Sequence, residues 1–142
     1  ETDKILHQSK LVNYFGKEKI SNKKIEKDLN NYLKKIKKSK KNYLITKDII
    51  LIEAMISDGI KIKDEYKNLY DSKENTIPTD IQVLINDQEV GMAVLRLIEI
   101  IGQDKINDLG SETLYFLINA LNQMNIDPIR NEILYNVLPL RA

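Results

Sequence analysis

The chain is 142 residues long, 42% hydrophobic and 30% charged, with a net charge of +1, the balance of one globular domain long enough to bury a core. It has no cysteine, which excludes a disulfide scaffold, thiolate metal ligands and a cysteine nucleophile. No apolar run approaches the roughly eighteen residues needed to cross a bilayer. Within the near-neutral total the charge is uneven. Residues 17–47 hold twelve lysines against Glu18, Glu26 and Asp28, a net +9, and residues 48–142 hold eight basic and sixteen acidic side chains, a net −8. Residue 1 is Glu rather than Met, so the chain is expected to be a piece of a longer product, with its compartment open between cytoplasm and periplasm.

Residues 3–15 are predicted as a modest helix, with Ile5, Leu6, Ser9, Val12 and Phe15 along one side and Gly16 as its stop. Ser21 then precedes a clearly amphipathic helix whose stripe is Ile25, Leu29, Tyr32, Leu33 and Ile36. The lysines of residues 37–41 fall at its C-terminal end, where cations favour the helix dipole. Thr46 is expected to cap a helix carrying Ile49, Ile50, Ile52, Ala54, Met55 and Ile56, broken at Asp58-Gly59. Residues 60–63 alternate like a strand, residues 65–70 read as a short helix, and residues 71–78 as a polar loop. A further short helix follows from Thr79 or Asp80, with Ile81, Leu84 and Ile85, interrupted near Asn86-Asp87.

Residues 90–138 read as the organising stretch: three helix-length apolar segments separated by short breaks. The first ends at Gly102. The second opens at Ser111, expected to be its N-cap, with Leu114, Leu117, Ile118, Leu121 and Met124 at helical spacing. Tyr115, Phe116 and Ala120 make it apolar nearly all round, the pattern of a helix held between neighbours. The third is expected to be capped by Asp127 with Pro128 at its first position, to bury Ile129, Ile133, Leu134, Val137 and Leu138, and to stop at Pro139. Only Asn125 and Ile126 separate the last two, which requires an αα-hairpin.

Leu51-Ile52-Glu53-Ala54-Met55 before Gly59-Ile60 is echoed by Leu117-Ile118-Asn119-Ala120-Leu121 before Asn125-Ile126, and more weakly by Leu97-Ile98-Glu99-Ile100-Ile101. The spacings are unequal. A degenerate helical repeat and the convergence of amphipathic helices in a biased composition both account for the echo.

The run from Leu97-Ile98-Glu99 through Leu114-Tyr115 to Ile133-Leu134-Tyr135-Asn136-Val137-Leu138-Pro139-Leu140-Arg141 resembles the C-terminal helical part of bacterial tetratricopeptide-like α-solenoid proteins. That resemblance implies stacked helix pairs presenting a binding surface, often in exported proteins. The chain departs from the named repeat in lacking Trp and a fixed period of about 34 residues.

Chemistry-bearing residues are sparse. His7, the single histidine, has no acid or nucleophile at a useful spacing and reads as a solvated surface residue. Asp64-Glu65 and the pair Asp104 and Asp108 read as solvated carboxylates rather than a catalytic couple. Asp58-Gly59 lacks the alternating oxygen ligands of a Ca²⁺ loop, and Gly91 and Gly102 are isolated. No catalytic, cofactor-binding or metal-binding residue is assigned. The polar feature above background is the lysine block Lys34, Lys35, Lys37, Lys38, Lys40 and Lys41. It suits phosphates of nucleic acid or of an anionic surface, with Tyr32 and Tyr43 as stacking candidates. A solvated helix face, or one neutralised by the acidic half of the chain, is the favoured reading, since the block holds no arginine and Tyr32 lies on the apolar stripe.

The expectation is an all-α domain over residues 1–142, of six to seven helices in an irregular bundle or short α-solenoid-like stack. Its basic N-terminal part covers residues 1–47 and its acidic array residues 48–142. The expected function is non-enzymatic: a helical interaction or scaffold module binding a protein or peptide partner in an interhelical groove or on an exposed apolar patch. The alternative is a nucleic-acid- or anionic-surface-binding domain using residues 23–41. Oligomeric state is left open.

Overall fold

A computed structural model describes residues 6–39, 44–71, 77–102 and 104–140. The fold is all-α: among the described residues there are six α-helices, joined by short 3₁₀ turns, and no strand. The helices are α1 (Asn22–Lys38), α2 (Thr46–Ser57), α3 (Thr79–Asn86), α4 (Val90–Ile101), α5 (Ser111–Met124) and α6 (Asp127–Val137). The 3₁₀ turns are Leu6–Gln8, Lys10–Phe15, Asp64–Leu69 and Ile106–Asp108.

The centre of the bundle is the pair α2 and α5, which make the most extensive helix–helix contact. Ile49, Ile50, Leu51, Ile52, Ala54 and Met55 of α2 are buried, as are Leu114, Tyr115, Leu117, Ile118, Ala120 and Leu121 of α5. Both helices are apolar on more than one side because each is covered on more than one side. α6 folds back along α5 and covers the turn at Lys10–Phe15, while α1 lies over the turns at Lys10–Phe15 and Asp64–Leu69. α3 rests on α5, and α4 packs chiefly against α3 at the margin. The organising element is therefore α2 with α5. α4, expected to belong to the organising stretch over residues 90–138, stands at the edge of the bundle.

Local chemistry explains the boundaries. The Ser21 hydroxyl accepts the Lys24 N–H at 3.3 Å and starts α1, as its spacing predicts. Its stripe Ile25, Leu29, Leu33 and Ile36 is buried, with Tyr32 half-buried beside it. Within the predicted N-terminal helix, residues 6–15 are instead two 3₁₀ turns, because the Ser9 hydroxyl accepts the Leu11 N–H and restarts the chain in its middle, and residues 3–5 lie outside the described residues. Residues 61–63 form no strand, and Lys63, with extended backbone, leads into the 3₁₀ turn Asp64–Leu69. Three expected caps move by one residue. Ser111 and Asp127 are the first residues of their helices, behind Gly110 and Ile126, and Thr46 follows Ile45. At α2 the Asp48 carboxylate instead accepts the Ile45 N–H at 3.0 Å.

The echo between α2 and α5 takes physical form as a shared helix ending. Gly59 and Asn125 both have positive φ, +95° and +58°. The next residue reaches back across the last turn, Ile60 N–H to the Met55 carbonyl and Ile126 N–H to the Leu121 carbonyl, at 3.0 and 3.1 Å. This is the Schellman arrangement, which needs a residue tolerant of the left-handed conformation. α3 ends the same way, with Gln88 at φ +62° and Glu89 N–H on the Leu84 carbonyl.

Two buried polar constellations lock the bundle. Arg130, fully buried, makes a bidentate pair with Asp58 at 2.8 and 2.6 Å, and its remaining N–H groups meet Asn122, Asn131 and the Ala54 carbonyl. Its guanidinium also lies 5.8 Å from the Phe15 ring centroid, and the Tyr14 hydroxyl donates to Asp58 at 2.8 Å. His7 forms the second constellation and corrects the sequence reading. It is buried, not solvated: its Nδ1 lies 2.7 Å from the Asp48 carboxylate, which also accepts the His7 backbone N–H at 3.0 Å. The pair ties the N-terminal turn to the start of α2.

Candidate protein-interaction face

The hairpin of α3 and α4 is where burial and composition disagree. α4 has a single basic residue, Arg96, and a single acid, Glu99; its other ten residues are apolar or Gly. A helix of that kind is normally enclosed. Here only Ala93 and Leu97 are buried, with Val94, Ile100 and Ile101 half-buried around them. At 3.6 residues per turn, Leu95 falls opposite that inward face, with Met92 and Ile98 to either side. They are 59%, 55% and 57% exposed. Val90 on α4 and Val83 on α3 are also exposed, at 39% and 50%. Gly91 lies on the same outer face, and a Cβ there would meet nothing within 4 Å.

The flank of the hairpin is held by charge. The Arg96 Nε donates to the Asp80 carboxylate at 2.6 Å, joining α4 to α3, and an Arg96 Nη lies 3.5 Å from Glu99. The guanidinium holds the Asp80 carboxyl below its ordinary value, and Asp80 raises Arg96 in return. Asp87 and Glu89 are exposed at the turn between the helices.

The lysine block occupies a different surface. Lys34, Lys35, Lys37 and Lys38 are exposed on α1, as are Lys23, Lys24 and Lys27. Lys37 is partly engaged, donating from Nζ to the Glu65 carbonyl at 3.0 Å and lying 5.8 Å from the Tyr66 ring centroid. Lys40, Lys41 and Tyr43 lie outside the described residues. Tyr32, the other stacking candidate, packs against the core.

Two concavities have mixed polar and apolar linings. A groove of about 420 Å³ between α2 and α5 is lined by Glu53, Ser57, Asn119 and Gln123, and the Tyr115 hydroxyl donates to Glu53 there at 3.2 Å. Another, of about 670 Å³, lies between Phe15-Gly16 and the α6 residues Asn131, Glu132 and Tyr135. Asp64 and Glu65 are exposed on the turn beside α1, and Asp104 and Asp108 are exposed beyond α4. Among the described residues no group of three or more His, Asp or Glu side chains is placed to hold a metal ion, and no helix is long and apolar enough to cross a membrane.

Sequence reasoning missed the outer face of α4 and the contribution of Val83. The signal was composition: ten of the twelve residues of α4 are apolar or Gly, more than one buried face can take up. No family model, curated protein or solved structure matches the chain.

Proposed function

We propose that this protein is a non-enzymatic helical interaction module, and that the outer face of α4 with Val83 of α3 is where a protein or peptide partner docks. The observation that carries this reading is the exposure of Met92, Leu95 and Ile98 together on one helix face. A contiguous apolar patch of this kind is costly to leave in water and marks an interaction surface. A partner helix laid along α4 would bury it by the same ridge-and-groove packing that joins α2 to α5. Docking on helical hairpins is also what the resemblance of the C-terminal part to α-solenoid proteins implies. The test is an NMR titration of the ¹⁵N-labelled chain with helical model peptides that share a leucine stripe. Shifts concentrated in residues 79–101, and affinity reduced about tenfold (about 1.4 kcal/mol) by Leu95→Ser with Ile98→Ser, are expected. Peptides that leave α3 and α4 unmoved would sink the reading.

A second reading rests on the seven exposed lysines of α1, Lys23, Lys24, Lys27, Lys34, Lys35, Lys37 and Lys38. A cationic helix face suits the phosphates of nucleic acid, with binding that weakens steeply as salt rises. It gives way to the first because arginine, the better base reader, is absent from the segment and Tyr32 is withdrawn into the core.

A further inference from the structure

The charges around the α4 face select its occupant, an inference that rests on reading that face as a docking surface. Residues 79–101 carry Asp80, Asp87, Glu89 and Glu99 against Arg96 alone, a net −3. Arg96 is already engaged by Asp80 and approaches Glu99. The carboxylates bracket the apolar stripe. Glu89 precedes Met92 by one turn at the start of α4, next to Asp87, and Glu99 follows Leu95 by one turn and adjoins Ile98. Both ends of the stripe are therefore acidic and exposed.

That arrangement argues against a second copy of the chain. An antiparallel pair about a two-fold axis through Leu95 matches Met92 with Ile98 but brings Glu89 of one copy toward Glu99 of the other. A parallel pair sets each acid beside itself. Like charges across an interface disfavour both. Phosphate-bearing surfaces are repelled by the same carboxylates. Gly91, open on the outer face, lets a partner backbone come close to α4. We propose that the face formed by Val83, Gly91, Met92, Leu95 and Ile98 binds a cationic amphipathic helix of a partner protein. Its apolar residues at i, i+3 or i+4, and i+7 lie on the stripe, and its Lys or Arg side chains lie over Glu89 and Glu99.

The test uses the full chain and three model peptides with one leucine stripe and polar positions filled by Lys, Gln or Glu. Affinity is followed by fluorescence anisotropy and location by NMR. The Lys peptide is expected to bind residues 79–101 at least tenfold more tightly than the Gln peptide, with the Glu peptide weakest. Glu89→Gln with Glu99→Gln is expected to erase that preference while leaving the Gln peptide unchanged, and Gly91→Trp to block all three by bulk. The inference is overturned if the Gln or Glu peptide binds this face as tightly as the Lys peptide, or if the preference survives loss of the two carboxylates. It is also overturned if sedimentation shows a dimer that Leu95→Ser dissolves. In each of those cases α4 remains an interaction face. If no peptide and no second copy engages α3 and α4, the docking reading falls with it.

Discussion

At the scale of single residues, Arg130 carries the largest predicted effect. Its five N–H donors are matched by carboxylate, amide and carbonyl oxygens inside the bundle, so truncation takes the bidentate partner from the largely buried Asp58 carboxylate and leaves it the Tyr14 hydroxyl. Arg130→Ala is expected to lower unfolding free energy by about 3–5 kcal/mol, the usual cost of breaking a buried pair from one side, measured by urea denaturation. Tyr14 and Tyr115 give the fold an alkaline edge. Burial, then the Asp58 carboxylate, raises Tyr14 above its ordinary 10.0, and burial, then Glu53, does the same for Tyr115. Both hold their proton more tightly folded than unfolded. The stability they contribute is thus full below pH 10.0 and is lost progressively as pH rises above it. Lys47, lowered by burial, acts in the opposite sense, since its desolvation cost fades as it deprotonates. The clean comparison is Tyr14→Phe, whose urea midpoint is expected to fall less steeply above pH 10.0 than that of the parent chain.

At the scale of elements, α4 allows a contrast within one helix. Leu97 is 2% exposed and Leu95 is 59% exposed. Leu97→Ala is expected to cost about 2–5 kcal/mol through the cavity it leaves. Leu95→Ser is expected to change stability by no more than about 0.5 kcal/mol while weakening peptide binding. Equal losses at the two sites would mean that α4 is enclosed on both faces. The junction of α6 with the N-terminal segment is tight at Gly16, where a Cβ would lie 2.7 Å from the Tyr135 ring. Gly16 has extended backbone, φ −85°, so the objection is steric alone. Gly16→Ala is expected to cost about 1 kcal/mol, and Tyr135→Ser in the same chain is expected to recover it, read from a double-mutant cycle.

At the scale of the molecule, the basic and acidic parts of the chain share one core. Leu6, Leu11, Val12, Phe15, Ile25, Leu29 and Leu33 from residues 1–47 are buried in the same cluster as α2 and α5. The cationic surface of α1 nevertheless stays in water, so a salt series with duplex DNA is a direct check on the second functional reading. Binding that falls linearly in log–log form, and is lost when Lys34, Lys35, Lys37 and Lys38 become Glu, is expected only if α1 contacts phosphates. Absence of binding at low salt would dispose of it. The sequence by itself determined the helical class and most helix positions. Apolar periodicity at 3.6 residues is a local property, visible in the stripe Ile25, Leu29, Leu33 and Ile36 and in Leu114, Leu117, Ile118 and Leu121. It also placed the stops at Asp58-Gly59 and Asn125, because left-handed backbone demands particular residue types. Tertiary structure alone decided what touches what. His7 with Asp48, Arg130 with Asp58, and Tyr115 with Glu53 are separated by 41, 72 and 62 residues, and no local pattern encodes such partners. For the same reason the candidate site was hidden. The apolar residues of α4 were legible, but which of them remain in water depends on where α3 and α5 end up, and only the packed bundle fixes that.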